Sequence, residues 1–360
     1  MMFFGPRHRS LKSPVSTHPT QLYLELSTHC NLACRTCVRN SVFDFEAAHF
    51  PQALMDQLID SIAMLPTLKR IVLLGYGEAL CNPHIHDFLT RLAQTGIPLC
   101  LVTNGQLIDA QIVDLLVGLP VREVFISWDD YEGVDRIRVG ADTGRIRAVI
   151  EELRRRRKGS FPLIGLEIVA LRHNRNVLSK IVAASRAAGG EKIIVTNVFP
   201  YTQAMSGEIL FSYKKRPAFN IHAILDGYGR SADITVANQV ISDARACPFL
   251  EKGTLFVTAR GEIVPCLELA HSHRAWYFNS ERSHFQYSLG NIVHTPLAAA
   301  WDSEKFTSFR ESFLHFDFPD CLQCRGSQMC LHRSTIDGDC FRNAVPCGEC
   351  LWARGAIRCP

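Results

Sequence analysis

The sequence contains no run of 18 or more apolar residues, so it offers no stretch of the length that a bilayer-spanning helix requires. Nor does Met1-Met-Phe-Phe-Gly-Pro6 extend into the apolar core of a secretory leader, and the expectation is a soluble, cytoplasmic protein with no membrane partner. A strong charge of either sign is also missing. The 39 basic and 35 acidic residues leave a net charge of +4 over 360 residues, which demands neither a nucleic acid nor an anionic surface. Cysteine, by contrast, is abundant: there are 14. In a small secreted protein they would read as disulfides, whereas in a cytoplasmic chain of this length they point to metal or catalysis. Three lie between Cys30 and Cys37, nine follow Ala246, and only Cys81 and Cys100 stand apart. The length suggests about two domains, and a 47% hydrophobic fraction is enough to bury a core in each.

Residues 1–20 carry three prolines, several basic side chains and no periodic pattern, and are expected to be a disordered lead-in. Strand and helix patterns then alternate. Runs rich in Val, Ile and Leu occur at Leu22–Leu26, Ile71–Leu74, Leu99–Val102, Val121–Ile126, Leu166–Leu171 and Lys192–Val198. Between them, Leu54, Leu58, Ile59, Ile62 and Leu65 mark one helical face, while Ile85, Phe88, Leu89 and Leu92 mark another. Six such units imply an α/β fold with a parallel sheet, either open or rolled into a partial barrel. Each run ends in polar or glycine-rich residues: the cysteine loop, Gly75-Tyr-Gly-Glu78, Thr103-Asn-Gly105, Ser127-Trp-Asp129, Arg172-His-Asn174 and Asn197. In α/β folds the carboxyl ends of the strands carry the ligands, so these motifs are expected to meet at one mouth. The run from Glu151 to Lys158 reads as a helix end, its cations at the negative end of the dipole.

The first cysteine group has the spacing C-x3-C-x2-C: Cys30, Cys34 and Cys37. Three thiolates so close can hold three irons of a 4Fe-4S cube and leave the fourth open to another ligand. A zinc knuckle or three inert buried cysteines are the alternatives. With its preceding strand-like run, the triplet resembles the signature of the radical S-adenosylmethionine superfamily. That resemblance implies a cube whose open iron chelates S-adenosylmethionine, and an electron transfer that yields a 5′-deoxyadenosyl radical. It further implies that Gly77 and Glu78 match the motif contacting the cofactor's amino group, and that Ser127 and Asp129 lie near its ribose. Thr36 departs from the aromatic residue common before the third cysteine, which removes one adenine contact.

The later cysteines form the pattern C-x13-G-x4-C at Cys247, Gly261 and Cys266, then C-x2-C-x5-C at Cys321, Cys324 and Cys330, followed by Cys340, Cys347, Cys350 and Cys359. Thr254–Thr258 and Glu262–Cys266 read as a hairpin. The pattern resembles the SPASM extension of the same superfamily, with Ser334 where a further cysteine is expected. The combined resemblance implies a partial (β/α)6 TIM barrel over residues 21–243 and a small cysteine-rich SPASM-type iron-sulfur domain over 244–360, holding two auxiliary 4Fe-4S clusters. One auxiliary set is expected to comprise Cys247, Cys266 and Cys340 with Cys359, and the other Cys321, Cys324, Cys330 and Cys350, with Cys347 unassigned. Zinc is the alternative occupant, because C-x2-C pairs serve it equally well. The tail from Asp339 to Pro360 resembles a subgroup described as metalloenzyme maturases, including proteins associated with tungsten enzymes.

The activity implied is hydrogen abstraction from a peptide or protein substrate, with a reductant such as ferredoxin or flavodoxin as partner. With the barrel starting near Gln21, substrate recognition is expected to fall to the barrel, the carboxyl-terminal domain or a separate partner. Glu268, two residues beyond Cys266, is the candidate catalytic acid or base. Two other readings remain open at this point: a small-molecule radical enzyme such as molybdenum-cofactor precursor synthesis, and a non-enzymatic metal-binding scaffold.

Overall fold

A computed structural model describes residues 15–43, 45–131, 136–212, 219–225, 233–241, 246–277, 280–322, 324, 326, 330, 332, 338–345 and 347–360. The first six strands are β1 (Gln21–Leu24), β2 (Arg70–Leu73), β3 (Leu99–Thr103), β4 (Val121–Ser127), β5 (Leu163–Ala170) and β6 (Lys192–Asn197). They pair in parallel and in sequence order. Their dense Val, Ile and Leu content follows from burial on both faces, as a parallel sheet covered by helices requires. Five outer helices connect or follow them: α1 (Met55–Ala63), α2 (Ile85–Gln94), α3 (Ala110–Gly118), α4 (Thr143–Arg156) and α5 (Leu178–Ala188).

Local chemistry sets the helix limits. The Asp109 carboxylate accepts the Ile112 N–H at 2.9 Å to begin α3, and Asp142 accepts the Gly144 N–H at 2.8 Å to begin α4. Gly189, at φ 111°, ends α5 in the left-handed region where a side chain would be strained. The basic run closes α4 as expected: Arg155 pairs with Glu152, Arg156 with Asp114, and Arg157 with Glu191 at 2.7 Å.

The sheet extends beyond the six expected strands. A three-residue strand, β7 (Ile234–Val236), adds in parallel to β6. At the other edge β8 (Thr254–Val257) pairs in parallel with β1, then turns into antiparallel β9 (Glu262–Val264) and β12 (Gly290–Asn291). The hairpin read from the sequence is therefore present, but it continues the barrel sheet. The boundary expected at 243/244 falls in residues 242–245, outside the described residues. A separate hairpin, β10 (His273–Tyr277) with β11 (Ser280–His284), lies over the mouth of the sheet, where the Trp276 N–H donates to the Pro200 carbonyl at 2.7 Å.

Both ends of the described chain tie into this frame. Residues 1–14 lie outside the described residues, but 15–20 are held: the Ser16 N–H donates to the Leu250 carbonyl, and the Thr20 N–H to the Gly253 carbonyl, each at 2.8 Å. The expected free lead-in therefore does not extend to these six residues. At the other end, Tyr23 Oη on β1 donates to the Pro360 carbonyl at 3.0 Å, and Asn197 Nδ2 on β6 donates to the Ala356 carbonyl at 2.7 Å. The last ten residues thus link the first and sixth strands. Among the described residues, no helix is long and apolar enough to cross a membrane.

Candidate functional site

The cysteine loop leaves β1 and is held by its neighbours' backbones. The Ala33 N–H donates to the Val139 carbonyl at 3.0 Å, and the Arg35 N–H to the Ile137 carbonyl at 2.9 Å. Cys30, Cys34 and Cys37 are partly exposed and lie within electrostatic reach of one another: burial first, and charge on Cys37 as well, raises the Cys30 and Cys34 thiols. Burial pushes the Cys34 thiol up to about 11. Arg39 Nε donates to Cys37 Sγ at 3.3 Å while its Nη2 donates to the Leu32 carbonyl at 2.8 Å, which places a fixed cation beside all three sulfurs. Asn104, after β3, donates through Nδ2 to Asn31 Oδ1 at 2.8 Å, and that nitrogen also lies 3.7 Å from Cys30 Sγ. Clustered thiols ionise when a metal takes them, and the adjacent cation and amide suit the negative charge of a thiolate-bound cluster. The donor set fits a cube with one open iron.

Gly77 and Glu78 act on this loop first through packing. A Cβ on Gly77 would lie 2.4 Å from the Ser27 carbonyl oxygen and 2.5 Å from that of His29, so only glycine lets the β2 loop lie against the approach to Cys30. Gly75 serves the same purpose against the buried Glu25, whose Cγ would be 2.3 Å from an added Cβ. The Glu78 carboxylate accepts from Thr103 Oγ1 at 2.9 Å, the Asn104 N–H at 2.7 Å and the Leu80 N–H at 3.3 Å. It clamps the second strand end to the third, and its acceptor capacity is largely taken within the chain.

Ser127 is half-buried at the end of β4. Asp129 is fully buried and already partnered: Oδ1 accepts the Val169 N–H at 2.7 Å, and Oδ2 accepts from Arg138 Nη1 at 3.0 Å. Arg138 was not singled out from the sequence. Its guanidinium faces Cys34 as well as Asp129, and its buried Nε has no partner among the described residues, so it is a cation with a spare donor beside the loop. Glu167 was also missed. Burial, with the charge of Asp129 beside it, lifts its carboxyl to about 7, against the pull of Arg138. One signal was available: Glu167 is the single charged residue in the otherwise apolar strand Leu163–Ala170.

The later cysteines sort differently from the sequence expectation. Cys247, Cys266, Cys347 and Cys350 line one cavity, with Phe309 and Phe313 in its wall. Burial pushes the Cys247 thiol to about 11 and Cys350 to about 12, and carries Cys266 and Cys347 well above the ordinary value. Four convergent sulfurs in an apolar cavity fit the four thiolate ligands of a 4Fe-4S cube. Cys347 therefore joins Cys247 and Cys266, and Cys350 joins this set instead of the one with Cys321. Cys321, Cys324, Cys330 and Cys340 make a second group: Cys340 lies within electrostatic reach of Cys330 and Cys324, and Cys321 within reach of Cys340. Ser334 lies outside the described residues.

Cys359 belongs to neither group. Its Sγ accepts from Trp352 Nε1 at 3.3 Å, and it faces Glu167 and Tyr23 inside the barrel. It was expected among the ligands because linear order places it last in a cysteine series, but the returning tail carries it away from the others. Glu268 is buried at the cavity wall between His273 and His284.

Comparison with known proteins agrees with this geometry. Residues 24–175 match the model of the radical SAM superfamily, and residues 247–325 match that of SPASM, an iron-sulfur cluster-binding domain. The chain is 27% identical over 346 residues to the tungsten-containing aldehyde ferredoxin oxidoreductase cofactor-modifying protein of Pyrococcus furiosus, covering 94% of this chain and 96% of that one. In fold it is similar to Streptococcus suis SuiB, solved with its precursor peptide SuiA, with a TM-score of 0.61, 14% identity, and 92% of this chain and 76% of that one covered. It is also similar to anSMEcpe with bound AdoMet, with a TM-score of 0.59, 15% identity, and 89% and 92% of the two chains covered. The cysteine loop at the first strand end, the second cysteine field and these two family matches together place the chain in the radical S-adenosylmethionine superfamily, with a SPASM domain, and make 4Fe-4S clusters and S-adenosylmethionine its cofactors.

Proposed function

We propose that this chain cleaves S-adenosylmethionine reductively at Cys30, Cys34 and Cys37 and directs the resulting radical at a hydrogen of a peptide or protein substrate, in a modification or metalloenzyme-maturation reaction. The observation that carries the reading is the convergence of the three sulfurs with Arg39, Asn104 and Arg138 at the carboxyl ends of the parallel strands. Cys30, Cys34 and Cys37 would hold the cube, whose chemistry when bound would be to pass one electron from a ferredoxin or flavodoxin to the sulfonium of S-adenosylmethionine, which would break into methionine and the 5′-deoxyadenosyl radical. The protein's own part is positioning. Glu78 holds the β2 and β3 loops in register, and Gly77 lets the backbone approach closely. Arg138 has N–H donors to offer the cofactor's carboxylate, while its contact with Asp129 fixes the guanidinium plane. Ser127, at the adjacent strand end, is offered to the ribose hydroxyls, and Glu167 can hold or release a proton near neutral pH.

Two auxiliary clusters, one on Cys247, Cys266, Cys347 and Cys350 and one on Cys321, Cys324, Cys330 and Cys340, belong to the same reading. A peptide substrate is supported by the peptide complexes of SuiB and anSMEcpe, which have this fold. A second substrate class, the precursor of a metal cofactor, is favoured by the name of the Pyrococcus furiosus relative.

The test is anaerobic incubation of the cluster-loaded protein with dithionite and S-adenosylmethionine. Formation of 5′-deoxyadenosine is expected, with loss in the triple Cys30→Ala, Cys34→Ala, Cys37→Ala variant. An intact first cluster that forms none refutes the proposal.

A further inference from the structure

The β10–β11 hairpin places His273 and His284 directly opposite each other, so both imidazoles stand on one face of the ribbon. Glu268, on the short turn Leu267–Leu269 after Cys266, enters between them. Its Oε1 lies 3.2 Å from His273 Nε2 and 3.2 Å from His284 Nδ1, and all three side chains are at most 5% exposed. The three ligand-type atoms lie within 4.8 Å of one another.

A count of protons and lone pairs shows what this arrangement lacks. His273 Nδ1 is 2.9 Å from the His271 carbonyl, which can only accept, so Nδ1 carries the proton. In the neutral ring, Nε2 then directs a bare lone pair at the Glu268 carboxylate. His284 places Nε2 3.4 Å from the Tyr277 hydroxyl and turns Nδ1 to the same carboxylate oxygen. The other oxygen, Glu268 Oε2, is buried with no partner among the described residues. The His273 Nε2 lone pair and the Glu268 carboxylate therefore face one another and repel unless a cation sits between them, and His284 Nδ1 adds a third lone pair when its ring proton is on Nε2, toward the Tyr277 hydroxyl.

The distances suit a metal. Two ligands of a tetrahedral first-row ion with bonds of about 2.0–2.1 Å are about 3.3 Å apart. The 3.2 Å separations are close to that value, at the long limit of an N–H···O hydrogen bond. The His271 carbonyl behind His273 is the kind of outer partner that fixes the tautomer of a metal-binding imidazole. The rings are now 6° from parallel with centroids 5.0 Å apart, and binding would rotate them to aim both nitrogens at one ion.

We propose that Glu268, His273 and His284 form a mononuclear site for a divalent first-row cation of the zinc class, separate from every cysteine set. Two imidazoles and one carboxylate suit such ions and leave at least one position open for water or a substrate group. Glu268 and His284 also line the cavity of Cys247, Cys266, Cys347 and Cys350, while Tyr201 and Tyr76, from the β6 and β2 strand ends, pack on His273. The site thus lies between the auxiliary cysteines and the barrel mouth, where a substrate carbonyl or amide could take the open position.

The test uses the full chain, cluster-loaded anaerobically, exposed to zinc sulfate and desalted, with zinc, iron and sulfide measured in the same samples. About one zinc per chain is expected, with a nitrogen and oxygen shell at about 2.0–2.1 Å in X-ray absorption and no sulfur shell near 2.3 Å. Glu268→Gln, which preserves size, and His284→Ala should each lower zinc about tenfold while iron and sulfide stay constant. If His284→Ala also sheds iron, the Glu268→Gln result decides. Absence of zinc in the unaltered chain, a sulfur shell, or full zinc in Glu268→Gln would overturn the site and leave the carboxylate as the centre of a proton-sharing triad. Because 5′-deoxyadenosine formation is measured separately, failure here is distinct from failure of the radical reading.

Discussion

Exchanging Cys347 and Cys359 in the ligand assignment gives a sharp test, because the two residues differ in what surrounds their sulfurs. Cys347 faces Cys247, Cys266 and Cys350 across an apolar cavity, whereas Cys359 is held by the Trp352 indole and faces Glu167 and Tyr23. Three cubes amount to about twelve irons and twelve sulfides per chain. Cys347→Ala removes one of the four sulfurs lining the cavity, whose other potential ligands are Glu268 and His284. The expected loss is about four irons per chain, or about one when a three-iron remnant survives. Cys359→Ala removes only a buried sulfur and one N–H···S contact, a cost of about 1 kcal/mol to the fold with no change in iron. Anaerobic iron and sulfide counting, with electron paramagnetic resonance of the dithionite-reduced protein, separates the two outcomes. Retention of all iron in Cys347→Ala together with loss of about four in Cys359→Ala would refute the sorting of the sulfurs.

Replacing Arg138 by Gln removes the partner of a buried carboxylate and a donor for the cofactor, so stability should fall by about 3 kcal/mol and the KM for S-adenosylmethionine should rise about 10- to 100-fold; an unchanged KM in a folded variant contradicts the role given to Arg138. Glu167 is protonated in the folded state at a pH where it is ionised in the unfolded chain, so between pH 4.5 and about 7 the folded state holds the extra proton and stability from this group falls as pH rises. Glu167→Gln should therefore raise the anaerobic melting temperature more at pH 8 than at pH 5.5, for a gain of between about 1 and 3 kcal/mol after allowance for its partial exposure. A gain independent of pH would remove Glu167 as its source. Gly77→Ala should cost about 1–3 kcal/mol and lower the occupancy of the first cluster even without S-adenosylmethionine, because the added methyl meets the Ser27 and His29 carbonyls; normal iron binding with only a raised KM would mean that the loop tolerates the methyl.

The parts of this protein that were legible in the sequence are those set by neighbours along the chain. Three cysteines in eight residues must share one loop, and an apolar run followed by a polar motif must end a strand with its ligands at one mouth. Hence the six parallel strands, the hairpin before Cys266 and the first cysteine set all emerged from local pattern. Glu167 was visible as a charge within an apolar strand, though its meaning needed Asp129 and Arg138 beside it.

Whatever depended on segments far apart in the chain was decided only by the tertiary structure. Nothing in a linear series tells Cys347 to join Cys247, a hundred residues earlier, or Cys359 to turn into the barrel, because sulfurs of equal chemistry are sorted by the path of the backbone between them. The parallel pairing of β8 with β1 has no local signature either, since strand partners are chosen by closure of the sheet. The pairing of His273 with His284 depends on the register of one hairpin, in which a slip of one residue would turn the two imidazoles to opposite faces. The sequence alone determined the chemistry available to this chain, and tertiary packing determined which of those groups meet.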